Sequence, residues 1–160
     1  ILIEILIGVG IAALVLAVLA IPAILKERET TRLIRERSEL WHFLANAFSD
    51  WSFPADRTPT IEEWNDAIDG VEMRHPWALN VAVAGRAYDD PALGHPSRTV
   101  MVFEPRDAGQ TTGTKTLLTP EPSNGTDFFI LGFADFDVEI VPRNEIDELI
   151  WTLPDSPPEP

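Results

Sequence analysis

Ile1-Leu2-Ile3-Glu4-Ile5-Leu6-Ile7-Gly8-Val9-Gly10-Ile11-Ala12-Ala13-Leu14-Val15-Leu16-Ala17-Val18-Leu19-Ala20-Ile21-Pro22-Ala23-Ile24-Leu25 decides the architecture of this 160-residue chain. From Ile5 to Leu25, 21 consecutive residues carry no charge, and the run is broken only by Gly8, Gly10 and Pro22. As a helix it is about 31 Å long at ~1.5 Å per residue, close to the ~30 Å of a bilayer core. It is apolar on every face, which a surface helix of a soluble domain is not. A cleaved secretory signal fits less well, because the run is too long and offers no small-residue cleavage site. Gly8-Val9-Gly10-Ile11-Ala12-Ala13 matches the dinucleotide pattern GxGxxA, but that motif needs a helix with a polar face followed by a second strand. Here the helix stays apolar and a charged helical stretch follows, so close helix packing is the better account of Gly8 and Gly10.

Glu4 is the informative residue of the segment. A carboxylate at the edge of such a run costs on the order of several kcal/mol if it stays unpaired. An α-amino group, with a pKa near ~8, is a partner of the right charge. Were Ile1 a processed N-terminus, its amine would lie within one helical turn of Glu4, and the pair would form within one chain or between neighbours.

Ile1-Leu2-Ile3-Glu4-Ile5-Leu6-Ile7, then small and aliphatic residues, then Ala20-Ile21-Pro22, resembles the mature N-terminus of type IV pilins and type II secretion pseudopilins. The resemblance implies cleavage of a short basic leader by a prepilin peptidase and methylation of the new N-terminus. It also implies assembly into a filament on an inner-membrane platform. Carried over, Glu4 is the acid that docks a subunit into the growing filament, next to Ile1, and Pro22 is the helix-weakening proline. Two differences stand out. The family's acid is usually the fifth mature residue behind a leading phenylalanine, whereas here it is the fourth and Ile1 leads. The interval from acid to proline is also one residue longer. Lys26 to Arg37 follow the run with nothing basic before it, which by the positive-inside rule puts the C-terminal part in the cytoplasm; a basic leader ahead of Ile1 would remove that conflict.

Residues 26–52 continue the helix in amphipathic form. Leu33/Ile34, Leu40/Trp41, Leu44, Ala47/Phe48 and Trp51 recur at three- and four-residue steps. Glu29–Arg32, Arg32–Glu36 and Arg35–Glu39 have the spacing of surface ion pairs. Beyond residue 53 lie 13 of the 14 prolines, which excludes long helices there. Thr60 with Glu63 forms a capping box for a short helix over 60–69. Strands are predicted over 78–84, 99–103, 115–118, 128–133 and 136–141. The last alternates Phe136, Val138 and Ile140 with Asp137 and Glu139, the pattern of a half-buried antiparallel strand. Ser123-Asn124-Gly125-Thr126 marks a turn, Glu145–Trp151 a final helix or strand, and residues 154–160 an extended Pro-rich tail.

The charge is unevenly shared. Of 12 basic and 26 acidic residues, 7 basic and 20 acidic lie in 51–160, leaving that part at −13 of the total −14. Such a field repels phosphates and argues against nucleic acid as a partner of the domain. Cysteine is absent, so disulfides and thiolate chemistry are excluded. His42, His75 and His95 have no metal-ligand spacing. Asp135, Asp137 and Glu139 read as a solvated strand face rather than a calcium loop. No nucleophile motif or phosphate loop is present, so no catalytic residue, metal or cofactor is expected, and the chain is not expected to be an enzyme. Asn124-Gly125-Thr126 is a glycosylation sequon, which makes Asn124 a candidate for modification.

The expectation is an α+β protein of type IV pilin kind: an apolar helix over 1–25, its amphipathic continuation over 26–52, and a small antiparallel β-rich domain over 53–153. It would sit in the inner membrane and then in an extracellular filament as a helical homopolymer, with adhesion or motility following from exposure. The alternatives are a minor pseudopilin, or a single-span membrane protein with an extracytoplasmic binding domain that never polymerises.

Overall fold

The computed structural model describes residues 2–50, 52–122 and 125–154, and the side chains within them except those of residues 2–14, 16, 17 and 19. Ile1, Trp51, Asn124 and the tail beyond Pro154 therefore lie outside the described residues, as does the side chain of Glu4, while Gly8 and Gly10 are described only as backbone positions.

One helix, α1, runs from Leu2 to Ser49 without interruption. Its C-terminal part is amphipathic: Leu33, Leu40, Phe43, Leu44 and Ala47 are buried against the rest of the chain. The helix ends where the Asp50 N–H reaches Asn46 O and the Phe53 N–H reaches Ala47 O, at 2.8 and 3.0 Å. That fold-back lets Phe53 stack on Trp64, with ring centroids 6.0 Å apart, while Phe43 meets the same indole edge-on at 5.5 Å. A second helix, α2 (Ile61–Asp69), is thereby pinned beside the C-terminal end of α1. Its start follows the predicted capping box, with Thr60 Oγ1 accepting from Glu63 N–H and Glu63 Oε2 accepting from Thr60 N–H.

Five strands follow: β1 (Ala78–Asn80), β2 (Val100–Phe103), β3 (Thr112–Gly113), β4 (Phe128–Phe133) and β5 (Val138–Pro142). Their order across the sheet is β3-β1-β2-β4-β5. The β1–β2, β2–β4 and β4–β5 pairs are antiparallel, but β3 pairs parallel with β1, so the sheet is mixed rather than wholly antiparallel. α1 covers one face, where Leu44 meets Val102, Ile130 and Val138 in one core. The other face is closed by Ile146 and Trp151, packed with Val100, Phe103, Phe129 and Phe133. Because both faces are covered, β2 is buried throughout, and β4 is buried from Phe129 onward.

Gly132 lets β4 lie close against its neighbour β2. A Cβ there would stand 3.2 Å from Val102 Cβ and 3.5 Å from Leu44 Cδ1. Asn80 ties the layers together at the end of β1: its Nδ2 donates to Val100 O and Trp151 O at 2.8 and 2.9 Å, and its Oδ1 accepts from Ala82 N–H.

Several sequence expectations are corrected. The segment predicted as a strand over 78–84 is extended only to Asn80 and then turns. Lys115–Leu117 is a 3-10 helix rather than a strand. Phe136 lies in a turn at φ +68°, not in β5, so Asp135, Asp137 and Glu139 do not share a strand face; Asp135 Oδ1 instead accepts from Asp137 N–H within that turn. The final segment forms a 3-10 helix over Arg143–Glu148, then a parallel bridge between Thr99 and Ile150.

Candidate assembly surface

α1 changes environment at Leu33. Every described side chain from Ala20 to Arg32 is exposed, and burial begins only at Leu33. Ala20, Ile21, Pro22, Ala23, Ile24 and Leu25 form a charge-free, exposed cylinder among the described residues, and Val15 and Val18 are exposed as well. Among the described residues no helix is long and apolar enough to cross a membrane.

Pro22 sits inside this cylinder while the helix continues on both sides. Lacking an N–H, it cannot donate to Val18 O, so one rung of the helix ladder is missing at that level. Thr30 and Thr31, a little further on, turn their hydroxyls back to Lys26 O and Glu27 O at 2.9 and 2.8 Å.

Two residues that the periodicity assigned to the buried stripe lie outside it. Ile34 and Trp41 are 57% and 49% exposed, while their neighbours Leu33 and Leu40 are buried. They flank a shallow cleft of about 270 Å³ completed by Arg37 and Ser38. Arg37 Nε donates to Val138 O, which fixes the cleft's base to the start of β5.

The helix-surface ion pairs read from spacing are redrawn. Glu36 is buried, with its Oε1 3.5 Å from His75 Nε2. Glu39 Oε1 accepts from the Arg74 N–H at 2.8 Å. Both carboxylates thus fasten the 71–77 segment to α1. Spacing alone does not reveal this, because the groups that answer Glu36 and Glu39 come from a distant part of the chain.

The remaining charged cluster near α2 is structural. Arg57 makes two hydrogen bonds to Glu63, at 2.7 and 2.8 Å. The Arg57 guanidinium, followed by the hydrogen bonds from Thr60, holds the Glu63 carboxyl down at about 2, against the desolvation that opposes it. Burial pushes the Tyr88 hydroxyl well above its ordinary value. Of the tryptophans, Trp64, Trp77 and Trp151 are core residues, leaving Trp41 as the described indole that faces outward.

Of the residues singled out for assembly, Pro22 is placed on the exposed part of α1. Glu4, Gly8 and Gly10 belong to the same helix only as backbone positions, and Ile1 and Asn124 lie outside the described residues. Beside Asn124, Gly125 adopts φ +70° and its N–H donates to Pro122 O at 2.9 Å. No protein-family model, curated protein or solved structure matches this chain.

Proposed function

We propose that this chain is a structural subunit of an extracellular filament of the type IV pilus kind, polymerising through the N-terminal half of α1. The observation that carries the proposal is the continuity of α1: the helix that buries Leu33 to Ala47 in the domain also holds Ala20 to Leu25 apolar and uncovered. A helix apolar on all sides needs a cover, and the described residues do not supply one. In this reading a bilayer supplies it before assembly and neighbouring copies of α1 supply it afterwards.

The chemistry of the parts supports the reading. An amine at Ile1 would neutralise Glu4 within the helix bundle, where an unpaired carboxylate is costly. The missing hydrogen bond at Pro22 lets the helix loosen locally as it leaves the bilayer. The α+β domain, carrying most of the net charge, would form the outer surface, where adhesion or motility depends on what it exposes. A prepilin peptidase and an inner-membrane assembly platform are the partners this path requires. A minor pseudopilin of a secretion system would use the same helix in the same way.

Cryo-electron microscopy of filaments sheared from the source cells tests the proposal. A helical map that accepts this chain, with α1 at the axis, supports it, and Glu4→Ala should then abolish assembly while leaving the domain folded. If the chain remains with detergent-extracted membrane as discrete particles, a single-span protein that never polymerises is the better account.

A further inference from the structure

α1 carries a second exposed apolar feature, well past its cylinder. Ile34 and Trp41, with Ser38 between them, follow at four- and three-residue steps, so they form a ridge along one side of the helix. That side lies about a third of a turn from the stripe that buries Leu33, Leu40 and Leu44. The indole is held in place: its ring meets His42 edge-on at 5.2 Å, and His42 Nδ1 donates to Ser38 O at 2.6 Å. A fixed, outward tryptophan is the kind of side chain that anchors protein contacts. The cleft beside it is lined by Ile34, Arg37, Ser38 and Trp41, with no acid among them.

Three covers suggest themselves for this ridge, and two fit badly. A bilayer that takes the cylinder up to Leu25 stops short of it. Ile34 stands roughly 13 Å and Trp41 roughly 24 Å further along the helix, beyond the charged residues Lys26 to Glu29. A second ridge brings like charges together, because Arg37 is the charged member of the cleft and two clefts face to face set arginine against arginine. The cylinder of a second copy has neither fault. From Val15 to Leu25 it carries no charge, and its described side chains are exposed. Arg37, whose Nε is already engaged by Val138 O, meets no like charge there.

Ridge and cylinder lie on one unbroken helix, so their spacing is fixed at about 26 Å between centres. We propose that the Ile34–Trp41 ridge of one copy seats the Val15–Leu25 cylinder of a second copy, displaced by about 26 Å where the helices run parallel. The contact joins two different surfaces of the same chain. It therefore leaves one of each free and propagates instead of closing. It rests on the filament reading for its setting and tells that reading which side of α1 receives a neighbour.

The chain has no cysteine, so engineered thiols report alone. Ser38→Cys marks the ridge, and Val18→Cys or Ala20→Cys marks the cylinder at two exposed positions on nearly opposite sides. Each full-length cylinder variant is mixed with the Ser38→Cys chain in detergent, the detergent is diluted away, and a short bismaleimide is added. The ridge–cylinder link at one cylinder position or the other should exceed the Ser38–Ser38 link several-fold. Being apolar, it should change by less than about twofold between about 0.05 and 0.5 M salt. Ile34→Ser with Trp41→Ala in the Ser38→Cys chain should lower that link at least about tenfold. Melting of the domain should hold, because both side chains are exposed and belong to neither core cluster of the described residues. A dominant Ser38–Ser38 link, a mixed link indifferent to the double substitution, or no link to either cylinder position overturns the proposal. Filaments that form without the mixed link would remove the contact and leave the filament reading intact. A mixed link lost on the double substitution, but found in closed oligomers and never in filaments, would do the opposite.

Discussion

Glu36 Oε1 lies 3.5 Å from His75 Nε2, and Glu36 is only 2% exposed, so a carboxylate on α1 is buried with an imidazole as its facing group. No hydrogen bond satisfies that oxygen among the described residues. Removing the ring leaves Glu36 Oε1 buried with no facing group, whereas removing the carboxylate takes away the buried polar group itself. His75→Ala is therefore expected to destabilise the domain by roughly 1–3 kcal/mol. Glu36→Leu should cost less, or even stabilise. Chemical denaturation of both variants orders them; a larger loss for Glu36→Leu would contradict this account.

The close approach of β4 to β2 at Gly132 gives a second test. An added methyl meets Val102 Cβ at 3.2 Å, and a Cβ in a strand cannot swing aside as a chain end can. Gly132→Ala should destabilise by roughly 1–3 kcal/mol through overpacking. Val102→Gly on top of it should cost less than the sum of the two single changes, because the Cβ that the methyl meets is then gone.

Acid should weaken the start of α2. The Glu63 carboxyl is depressed from 4.5 to about 2, mainly by the Arg57 hydrogen bonds. A depressed carboxyl contributes stability that is complete above its unfolded value, so the contribution should fade as pH drops from 4.5 toward 2. The pair is partly solvated, which holds its worth to the order of 1 kcal/mol. Arg57→Ala should flatten this part of the stability–pH curve, and an unchanged slope would count against the assignment.

The uncovered cylinder of α1 predicts a separation of stability from assembly. Ile24→Glu alters an exposed side chain that belongs to neither core cluster of the described residues. The melting of the domain should shift by no more than about 0.5 kcal/mol in stability, while pelletable assemblies should fall sharply. A comparable loss of folding would mean that Ile24 is packed after all.

How far the sequence speaks for the structure depends on the range of the interaction. The extent of α1 is legible because charge partition and three- and four-residue periodicity are properties of neighbouring positions. The Thr60–Glu63 capping box is local too, and it appears where its spacing puts it. The parallel pairing of β3 with β1 joins Leu79 to Thr112, and nothing near either residue announces it. Phe136 misleads for a related reason: its alternation with Val138 and Ile140 mimics a strand, but Asp135 closes a turn that drives Phe136 to positive φ. In the candidate assembly surface, Pro22 and the apolar run are plain to read. The outward turn of Ile34 and Trp41 is not, since periodicity fixes the spacing of a stripe and not its width.

The change of surroundings at Leu33 makes α1 a helix with two clocks. From Leu33 onward its amides are locked by the sheet and should open only with the whole domain. Those between Ala20 and Arg32 are held by their own hydrogen bonds alone, interrupted at Pro22, and should exchange with solvent deuterium far sooner in dispersed chains. When neighbours close over the cylinder the fast clock should slow toward the other. The ratio of the two exchange rates in a single molecule then counts what fraction of subunits has been incorporated, with no label on the domain.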